Sequence, residues 1–204
     1  MRTIRRFLAF GFCVILAQAV ASVYGPGGFG TATDVARAQA QEADFESKKI
    51  VPFVPTPQEV VDKMLETAQV QKGDVVYDLG SGDGRIVITA ARKYGVRAVG
   101  FEIDPDLIKK SRENIRKEGL QQLAEIRQQD ILTVDVSGAT VVTMYLLPDV
   151  NLQLRPTLLR QLKPGSRIVS HAFDMGDWKP DKVVQVNGRT VYLWTLPAKG
   201  MPKQ

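Results

Sequence analysis

The sequence has very few residues of the types that ligate metals or form disulfides. Among its 204 residues there is one cysteine, Cys13, and one histidine, His171. A single cysteine excludes a disulfide framework, a cysteine-based zinc site and an iron–sulfur cluster. A single histidine excludes a His-rich metal site. We therefore expect no metal centre.

An excess of one sign of charge is also missing outside the N-terminus. The chain has 27 Lys and Arg against 22 Asp and Glu, but Arg2, Arg5 and Arg6 supply three of the positive charges. The remainder therefore carries 24 basic and 22 acidic residues, without a basic block. This balance lacks the electrostatic pattern of nucleic-acid binding, so we expect no nucleic-acid partner. A composition of 44% hydrophobic and 24% charged residues is typical of a globular protein.

Residues 1–24 have the three parts of a secretory signal peptide. Three arginines precede an apolar run that begins at Phe7, and Ala19-Val20-Ala21 offers a cleavage site. The 18 residues of 7–24 are also long enough to be an uncleaved membrane anchor. Both interpretations place the rest of the chain outside the cytoplasm, either periplasmic or held at the membrane. Residues 25–48, rich in Gly, Ala, Thr and Gln, are expected to be a flexible linker.

From residue 49 to residue 204 we expect one domain of alternating strands and helices. Strands are predicted at 75–79, 98–103, 124–128, 141–146 and 166–173. Alternation of this kind predicts an α/β fold, a Rossmann-like three-layer sandwich with a mostly parallel sheet. Asn187-Gly188, between two short β-type runs, predicts a C-terminal antiparallel hairpin that completes seven strands.

A first helix is predicted before the first strand. Thr56-Pro57-Gln58-Glu59 has the pattern of a capping box with proline at the first helical position. Apolar residues then recur at helical spacing, which extends the helix to about residue 69.

The loop after the first strand, Asp78-Leu79-Gly80-Ser81-Gly82-Asp83-Gly84, carries the clearest binding signal. In parallel α/β sheets, ligands bind beyond the carboxyl ends of the strands. The spacing departs from a dinucleotide fingerprint, and the lysine of a P-loop is missing. Asp78 and Asp83 would repel a pyrophosphate but suit a ligand with an amino group and positive charge. S-adenosylmethionine has an ammonium, a sulfonium and no phosphate.

Acidic residues at the next two strand ends fit the same ligand. Glu102 ends the second strand, where a carboxylate accepts hydrogen bonds from ribose hydroxyls. Asp130, near the end of the third, is placed to accept from an adenine amino group. Each acid also has an ordinary structural explanation as a turn, surface or cap residue.

Two motifs, Val-Val-Tyr-Asp-Leu-Gly-Ser-Gly-Asp-Gly-Arg at 75–85 and Gly-Phe-Glu-Ile-Asp-Pro at 100–105, resemble those of class I, seven-strand S-adenosylmethionine-dependent methyltransferases. Segments 52–56, 145–148 and 177–180 are similar to the mitochondrial-type protein-lysine methyltransferases that modify the c subunit of ATP synthase and the adenine nucleotide translocase. The resemblance implies that Asp78, Gly80, Gly82, Gly84, Glu102 and Asp130 hold the cofactor and that segment 52–56 folds over the site. With this resemblance, the full predicted cofactor site is Thr56, Asp78, Gly80, Ser81, Gly82, Asp83, Gly84, Glu102, Ile103, Asp130 and Ile131. The N-terminal segment looks instead like a bacterial export signal, so the protein substrate does not carry over.

A lysine acceptor must lose its proton, and an aromatic, desolvating pocket favours that loss. Tyr145, at the end of the fourth strand, is predicted to contact the acceptor, with Phe53, Phe173 and Trp178 as walls or as core residues. Asp174 is predicted to accept a hydrogen bond from the acceptor amine. His171 is the alternative base, and the sequence does not choose between the two.

The leading prediction is therefore an S-adenosylmethionine-dependent methyltransferase acting on a protein lysine, with a membrane-associated protein as the expected acceptor. The alternatives are a small-molecule or RNA methyltransferase and a non-catalytic S-adenosylmethionine-binding module. The sequence has Tyr-Leu-Leu-Pro after the fourth strand in place of the Asn/Asp-Pro-Pro-Tyr/Phe motif of nucleobase-amine methyltransferases, which disfavours RNA. Export conflicts with the cytoplasmic supply of S-adenosylmethionine, which gives the non-catalytic alternative some weight.

Overall fold

The structure, a computed structural model, describes residues 33–37, 40 and 53–197. The chain divides into two units, Met1–Asp44 and Phe45–Gln204. In the first unit, residues 33–37 are helical, within the segment predicted as a linker. The predicted signal peptide or anchor, residues 1–24, lies outside the described residues.

A seven-stranded sheet forms the middle layer of the second unit. Its strand order is β3-β2-β1-β4-β5-β7-β6. The first five strands pair in parallel, and β7 runs antiparallel to both β5 and β6. The predicted sheet, with its C-terminal antiparallel hairpin, is confirmed. The strands are β1 (Val75–Leu79), β2 (Arg97–Glu102), β3 (Ala124–Gln128), β4 (Val141–Met144), β5 (Arg167–His171), β6 (Lys182–Val186) and β7 (Arg189–Thr195).

Helices cover both faces of this sheet and make the fold a three-layer sandwich. Neighbouring residues of β4 separate the two apolar clusters: Val141 packs on one face and Val142 on the other. The first cluster contains side chains of α1, α2 and α3, and the second contains those of α4. The helices are α1 (Gln58–Thr67), α2 (Arg85–Tyr94), α3 (Pro105–Lys117) and α4 (Pro148–Gln161).

The start of α1 differs from the prediction. The N-cap residue is Pro57, and no side chain caps the helix. The Thr56 hydroxyl instead lies 3.2 Å from His171 Nδ1, a residue 115 positions away in the chain. The capping-box prediction is wrong because a tertiary partner occupies the hydroxyl that a cap would use.

Strands β4 and β5 end earlier than predicted, at Met144 and His171. Tyr145 and Phe173 therefore stand in the connections that follow these strands. Because β1 to β5 are parallel, all of their carboxyl ends meet at one edge of the sheet. The glycine-rich loop after β1 and Glu102 at the end of β2 lie at the same edge as the connections that carry Tyr145 and Phe173.

The part of the chain that the structure describes contains neither a membrane-spanning helix nor a metal cluster. No helix within it has the length and apolar character to cross a membrane. The same residues contain no group of three or more His, Cys, Asp or Glu that could hold a metal ion.

Candidate active site

A cavity of about 550 Å³ opens at the carboxyl edge of the parallel strands. Its walls come from the connections after β1 to β5 and from segment 53–56, which precedes α1. The predicted cofactor residues that line it are Thr56, Asp78, Gly80, Ser81, Gly82, Asp83, Glu102, Ile103, Asp130 and Ile131. Gly84 does not line it. It adopts a φ of 82° at the N-cap of α2, where a side chain would meet Ser111.

The glycine-rich loop is held against β2 by backbone hydrogen bonds. The N–H groups of Gly80 and Ser81 both donate to the carbonyl of Phe101, at 2.9 and 3.0 Å. Gly82 has a φ of 54°, and a Cβ there would lie 2.4 Å from the Phe53 ring. Glycine at 82 thus allows both the left-handed turn and the close approach of segment 53–56.

Asp78 is the most unusual acid in the cavity. Asp78 is only 2% exposed, and Thr143 Oγ1 donates a hydrogen bond to its Oδ1 at 2.7 Å. Burial raises the pKa of Asp78 to about 7, helped by the nearby charges of Glu102 and Asp83. A cation placed beside Asp78 would favour its ionised form. The base of the cavity is therefore suited to a positively charged ligand.

Asp83 also lines the cavity, but its charge is already paired. Arg85 donates to both of its oxygens, through Nε at 2.9 Å and Nη2 at 2.6 Å. Burial acts to raise the pKa of Asp83, but the hydrogen bonds and charge of Arg85 outweigh it and hold the pKa below its usual range. Asp78 and Asp83, predicted as equivalent partners of a cation, are therefore chemically different.

Glu102 joins the end of β2 to the glycine-rich loop. Its Oε2 accepts from the Gly82 N–H at 2.8 Å, and its Oε1 accepts from the N–H groups of Ile103 and Asp104. The side chain both lines the cavity and orders its wall. A carboxylate has about four acceptor positions, so capacity for a ligand hydroxyl remains.

Asp130 lies at the far side of the cavity with Ile131. Its Oδ1 accepts from the Leu132 N–H at 2.9 Å and caps the short 3₁₀ helix Ile131–Thr133. The cap explanation and the binding explanation therefore apply to the same side chain.

Three aromatic rings, those of Tyr145, His171 and Phe173, meet at the side of the cavity formed by the connections after β4 and β5. Tyr145 lies against His171, with ring centroids 4.0 Å apart, and stacks near Phe173, at 6.2 Å and an interplanar angle of 17°. Tyr145 and Phe173 line the cavity, as does Phe53. Trp178 instead packs on Trp194, to which its carbonyl is hydrogen-bonded, so it is a core residue.

Neither candidate base is placed to take a proton in the cavity. Asp174 is exposed and does not line the cavity, and its Oδ1 accepts from the Gly176 N–H at 3.0 Å. The turn after β5 directs Phe173, rather than Asp174, towards the site. His171 is buried behind Tyr145, and burial, with the charge of Arg189, lowers its pKa to about 4. It is neutral at physiological pH and is a poor proton acceptor.

Comparison with known proteins assigns the chain to one family. A family profile described as "ANTKMT methyltransferase domain" matches residues 78–182. A protein-lysine N-methyltransferase from Saccharolobus islandicus (strain REY15A) is 49% identical over 151 residues, which cover 72% of this chain and 94% of that protein. The chain belongs to the ANTKMT methyltransferase domain family.

Two further relatives differ in the substrate that their names give. A lysine N-methyltransferase from Homo sapiens, named for the c subunit of ATP synthase, is 35% identical over 72% of this chain and 62% of that protein. A crystal structure described as an RNA methyltransferase from Salinibacter ruber, in complex with S-adenosyl-L-homocysteine, is 59% identical with a TM-score of 0.71. It covers 74% of this chain and 98% of that one. These matches confirm the predicted family and enzyme class, and the last contains an S-adenosyl ligand.

Several residues of this methyltransferase site were not predicted. Leu146 approaches the position that a Cβ on Gly80 would occupy, at 2.9 Å, and Arg85 joins Asp83 to the Thr56 carbonyl at 2.8 Å. Arg85 and Leu146 lie inside the motifs that carry the family resemblance, so those motifs were the available signal. Other unpredicted residues that line the cavity are Ile86, Asp104, Leu107 and Leu147, whereas Val54 and Pro55 belong to segment 52–56, which was expected to fold over the site.

Glu102→Gln should weaken S-adenosylmethionine and S-adenosylhomocysteine equally, because both ligands carry the same ribose. The amide would point a donor at backbone donors or at the ribose, and losing the charge-assisted hydrogen bonds should cost about 2–3 kcal/mol, roughly 30- to 150-fold in affinity. Calorimetric titration of both ligands measures this. Glu125→Gln, at an exposed position of β3, is the matched control and should bind both like the parent. Strong discrimination by the Glu102 variant would place this acid near the sulfur instead.

Proposed function

We propose that the chain is an S-adenosylmethionine-dependent methyltransferase whose acceptor is the side-chain amine of a protein lysine. The observation that carries the cofactor assignment is Asp78, a buried carboxyl group with a pKa of about 7 at the wall of the cavity. A buried acid of this kind is costly to ionise unless a cation pairs with it. S-adenosylmethionine offers an ammonium and a sulfonium.

The remaining residues of the cavity fit the other parts of this cofactor. Glu102, at the end of β2, is placed for the ribose, and Asp130, beyond β3, for the adenine amino group. Ile103 and Ile131 supply apolar contacts beside them. The absence of side chains at Gly80 and Gly82 lets the ligand approach the backbone closely.

When bound, S-adenosylmethionine supplies a methyl group on a positively charged sulfur, which an amine displaces in line. The chain orients the amine and excludes water. A protein lysine has an ordinary pKa near 10.4, and contact with the Tyr145 and Phe173 rings would desolvate it and favour its neutral form. Segment 53–56 covers the cavity from the other side.

Charge around the cavity favours an amine acceptor over a nucleic acid. Five acids line it, whereas Arg85 is the sole basic residue among the lining residues and is paired with Asp83. Such a wall attracts cations and repels phosphates. The names of the Saccharolobus islandicus and human relatives agree with a lysine acceptor. The five acids are Asp78, Asp83, Glu102, Asp104 and Asp130.

An RNA acceptor is the second candidate, favoured by the description of the 59% identical Salinibacter ruber protein. One experiment separates the candidates. The full chain is incubated with S-adenosylmethionine carrying a tritiated methyl group and with separated soluble-protein, membrane-protein and RNA fractions. Protein bands are hydrolysed and analysed by mass spectrometry for methyl-lysine. The Asp78→Asn variant is the inactive control.

Label in methyl-lysine that depends on Asp78 supports the proposal. Label confined to RNA nucleotides or to small metabolites overturns the lysine assignment. Cofactor binding by calorimetry with no label in any fraction would instead assign a non-catalytic binding module.

We also propose that residues 1–24 direct the domain to the membrane or beyond it, so that a membrane-associated protein is the acceptor. The support is the arrangement of three arginines, an apolar run and an A-x-A site. Fusion of the full chain to alkaline phosphatase, which is active only outside the bacterial cytoplasm, tests whether the domain leaves the cytoplasm. An inactive fusion would place the domain in the cytoplasm with its cofactor supply.

A further inference from the structure

The chain makes a strained turn directly after β5. The Phe173 N–H donates to the His171 carbonyl at 2.8 Å, across a single intervening residue, Ala172. Ala172 has a φ of 65°, in the left-handed region that non-glycine residues rarely adopt. A three-residue turn of this hand is rare, and such strain costs about 1–3 kcal/mol unless the surroundings impose it.

Two buried side chains, Asn151 of α4 and Ser170 of β5, hold this turn. Asn151 is 0% exposed, and its Nδ2 donates to the carbonyls of Phe173 at 3.3 Å and Asp174 at 3.1 Å. Ser170 Oγ donates to the same Phe173 carbonyl at 2.6 Å and lies 3.4 Å from Asn151 Nδ2. The turn is therefore clamped on the carbonyls of the two residues that follow Ala172.

Asn151 occupies this position at an energetic cost. Its Oδ1 is buried and has no hydrogen-bond partner among the residues that the structure describes. An unsatisfied buried acceptor costs about 1–3 kcal/mol. The neighbouring core positions of α4, Val150 and Leu154, are apolar. Packing alone would favour an apolar residue here too, so the two carbonyl contacts are what the amide adds.

The clamped turn carries the Phe173 ring, which lines the cavity. Tyr145 is fixed on one side by His171, at 4.0 Å, and Phe173 stacks near Tyr145 at 6.2 Å with the two rings almost parallel. Both rings line the cavity and form a single aromatic wall. The wall matches the apolar stem of an alkylamine, whose methylene groups pack on aromatic faces while the amine extends beyond them.

We propose that Asn151 is a positioning residue for the methyl acceptor: through the turn at Ala172 it places Phe173 beside Tyr145, where the two rings hold the alkyl stem of an amine acceptor. The proposal rests on the proposed amine methylation and assigns its specificity to this wall. Asn151 does not line the cavity, so it acts only through Phe173.

The test is a double-mutant cycle of Asn151→Ala and Phe173→Ala in the full chain. Each single variant should lower kcat/KM for the methyl-accepting protein fraction at least about 10-fold, because a small displacement of an acceptor has large kinetic effects. The double variant should be no worse than Phe173→Ala alone, since Asn151 then has no ring to place. Affinity for S-adenosylhomocysteine, by calorimetry, should stay within about threefold of the parent in all three.

Thr140→Val is the matched control for a general loss of stability. Thr140 Oγ1 donates to Asp74 Oδ1 at 2.7 Å and accepts from the Val75 N–H, at the amino ends of the strands. This variant also loses buried hydrogen bonds but should keep the acceptor kinetics of the parent. If Asn151→Ala does not fold, Asn151→Ser, which keeps one hydrogen-bond donor, takes its place. Its kcat/KM should lie between those of the parent and of Phe173→Ala.

Additive losses in the double variant, or an equal fall in S-adenosylhomocysteine affinity, would overturn the proposal in favour of a purely structural role. A second measurement does not need an acceptor. Nuclear Overhauser contacts between the Tyr145 and Phe173 rings should vanish in Asn151→Ala and persist in Thr140→Val, and their persistence in both would refute the clamp. If the parent itself methylates no amine, the proposed function fails, while the ring contacts still decide whether Asn151 places Phe173.

Discussion

Asp78→Asn should abolish cofactor binding and, in the same protein, raise the melting temperature of the ligand-free form above pH 7. The amide keeps an oxygen to accept from Thr143 Oγ1, which lies 2.7 Å from Asp78 Oδ1. It removes the charge that we propose pairs with the cationic end of the cofactor. Losing one partner of a buried charge pair costs about 3–5 kcal/mol, so affinity should fall at least about 100-fold.

The gain in stability follows from the direction of the pKa shift. Burial raises the pKa of Asp78 to about 7 from an ordinary value near 3.8. Between these two pH values the unfolded chain releases a proton that the folded chain keeps, so rising pH favours unfolding. The penalty is complete above pH 7 and disappears below pH 4. Asparagine has no proton to release, so the advantage of the variant should grow from pH 4 to pH 7.

Cofactor affinity of the parent should show the complementary pH dependence. A cation binds the ionised carboxylate, so binding releases a proton at and below pH 7, and affinity should fall as the pH drops from 8 to 5. Calorimetry in buffers of different ionisation enthalpy measures that proton directly. A parent that binds S-adenosylmethionine with equal affinity at pH 5 and pH 8 would contradict the role of Asp78.

Asp83→Asn is the matched control, because its effect on stability should have the opposite sign. Arg85 holds the pKa of Asp83 below its usual range, so the ionised carboxylate stabilises the fold above that range and the contribution is lost on acidification. The variant should therefore melt at a lower temperature than the parent at pH 7. Thermal melts of both variants between pH 4 and pH 8 separate the two acids, which the sequence presents as a pair.

The fold could be predicted from the sequence because the patterns that define its strands and turns are local. The run Val75–Leu79 and the Asn187-Gly188 turn each define an element within a few residues, and parallel pairing then brings the strand ends together. Asp78 and Glu102 were predicted in the site for the same reason.

Errors arose where a distant partner decides the role of a side chain. The Thr56 hydroxyl contacts His171 across 115 residues instead of capping α1. The turn at Ala172 sends Phe173 into the cavity and leaves Asp174 exposed. Asn151, which was not predicted, donates to backbone carbonyls 22 and 23 residues away. None of these partners can be identified from spacing, because each depends on how β5 and its neighbours pack.

Tyr145→Ala should reduce turnover about 100-fold or more while leaving S-adenosylhomocysteine affinity near that of the parent. Tyr145 follows β4, lines the cavity and stands between the His171 and Phe173 rings. The acids assigned to the cofactor belong to β1, β2 and the connection after β3. Removing the ring deletes the wall on the proposed acceptor side, and misplacing an acceptor by about 1 Å costs on the order of 10²-fold in rate. The loss should therefore appear in kcat and kcat/KM rather than in cofactor binding.

Tyr145→Phe separates the ring from the hydroxyl group. Phenylalanine preserves both ring contacts, so if the wall acts by packing and desolvation, this variant should keep turnover within about tenfold of the parent. Single-turnover methylation of the labelled protein fraction, at saturating S-adenosylmethionine, compares the three proteins without a contribution from product release. Equal loss in Tyr145→Phe and Tyr145→Ala would show that the hydroxyl contacts the amine directly. A Tyr145→Ala variant that loses cofactor affinity in proportion to turnover would move Tyr145 to the cofactor side of the cavity, and the aromatic wall would no longer define the acceptor site.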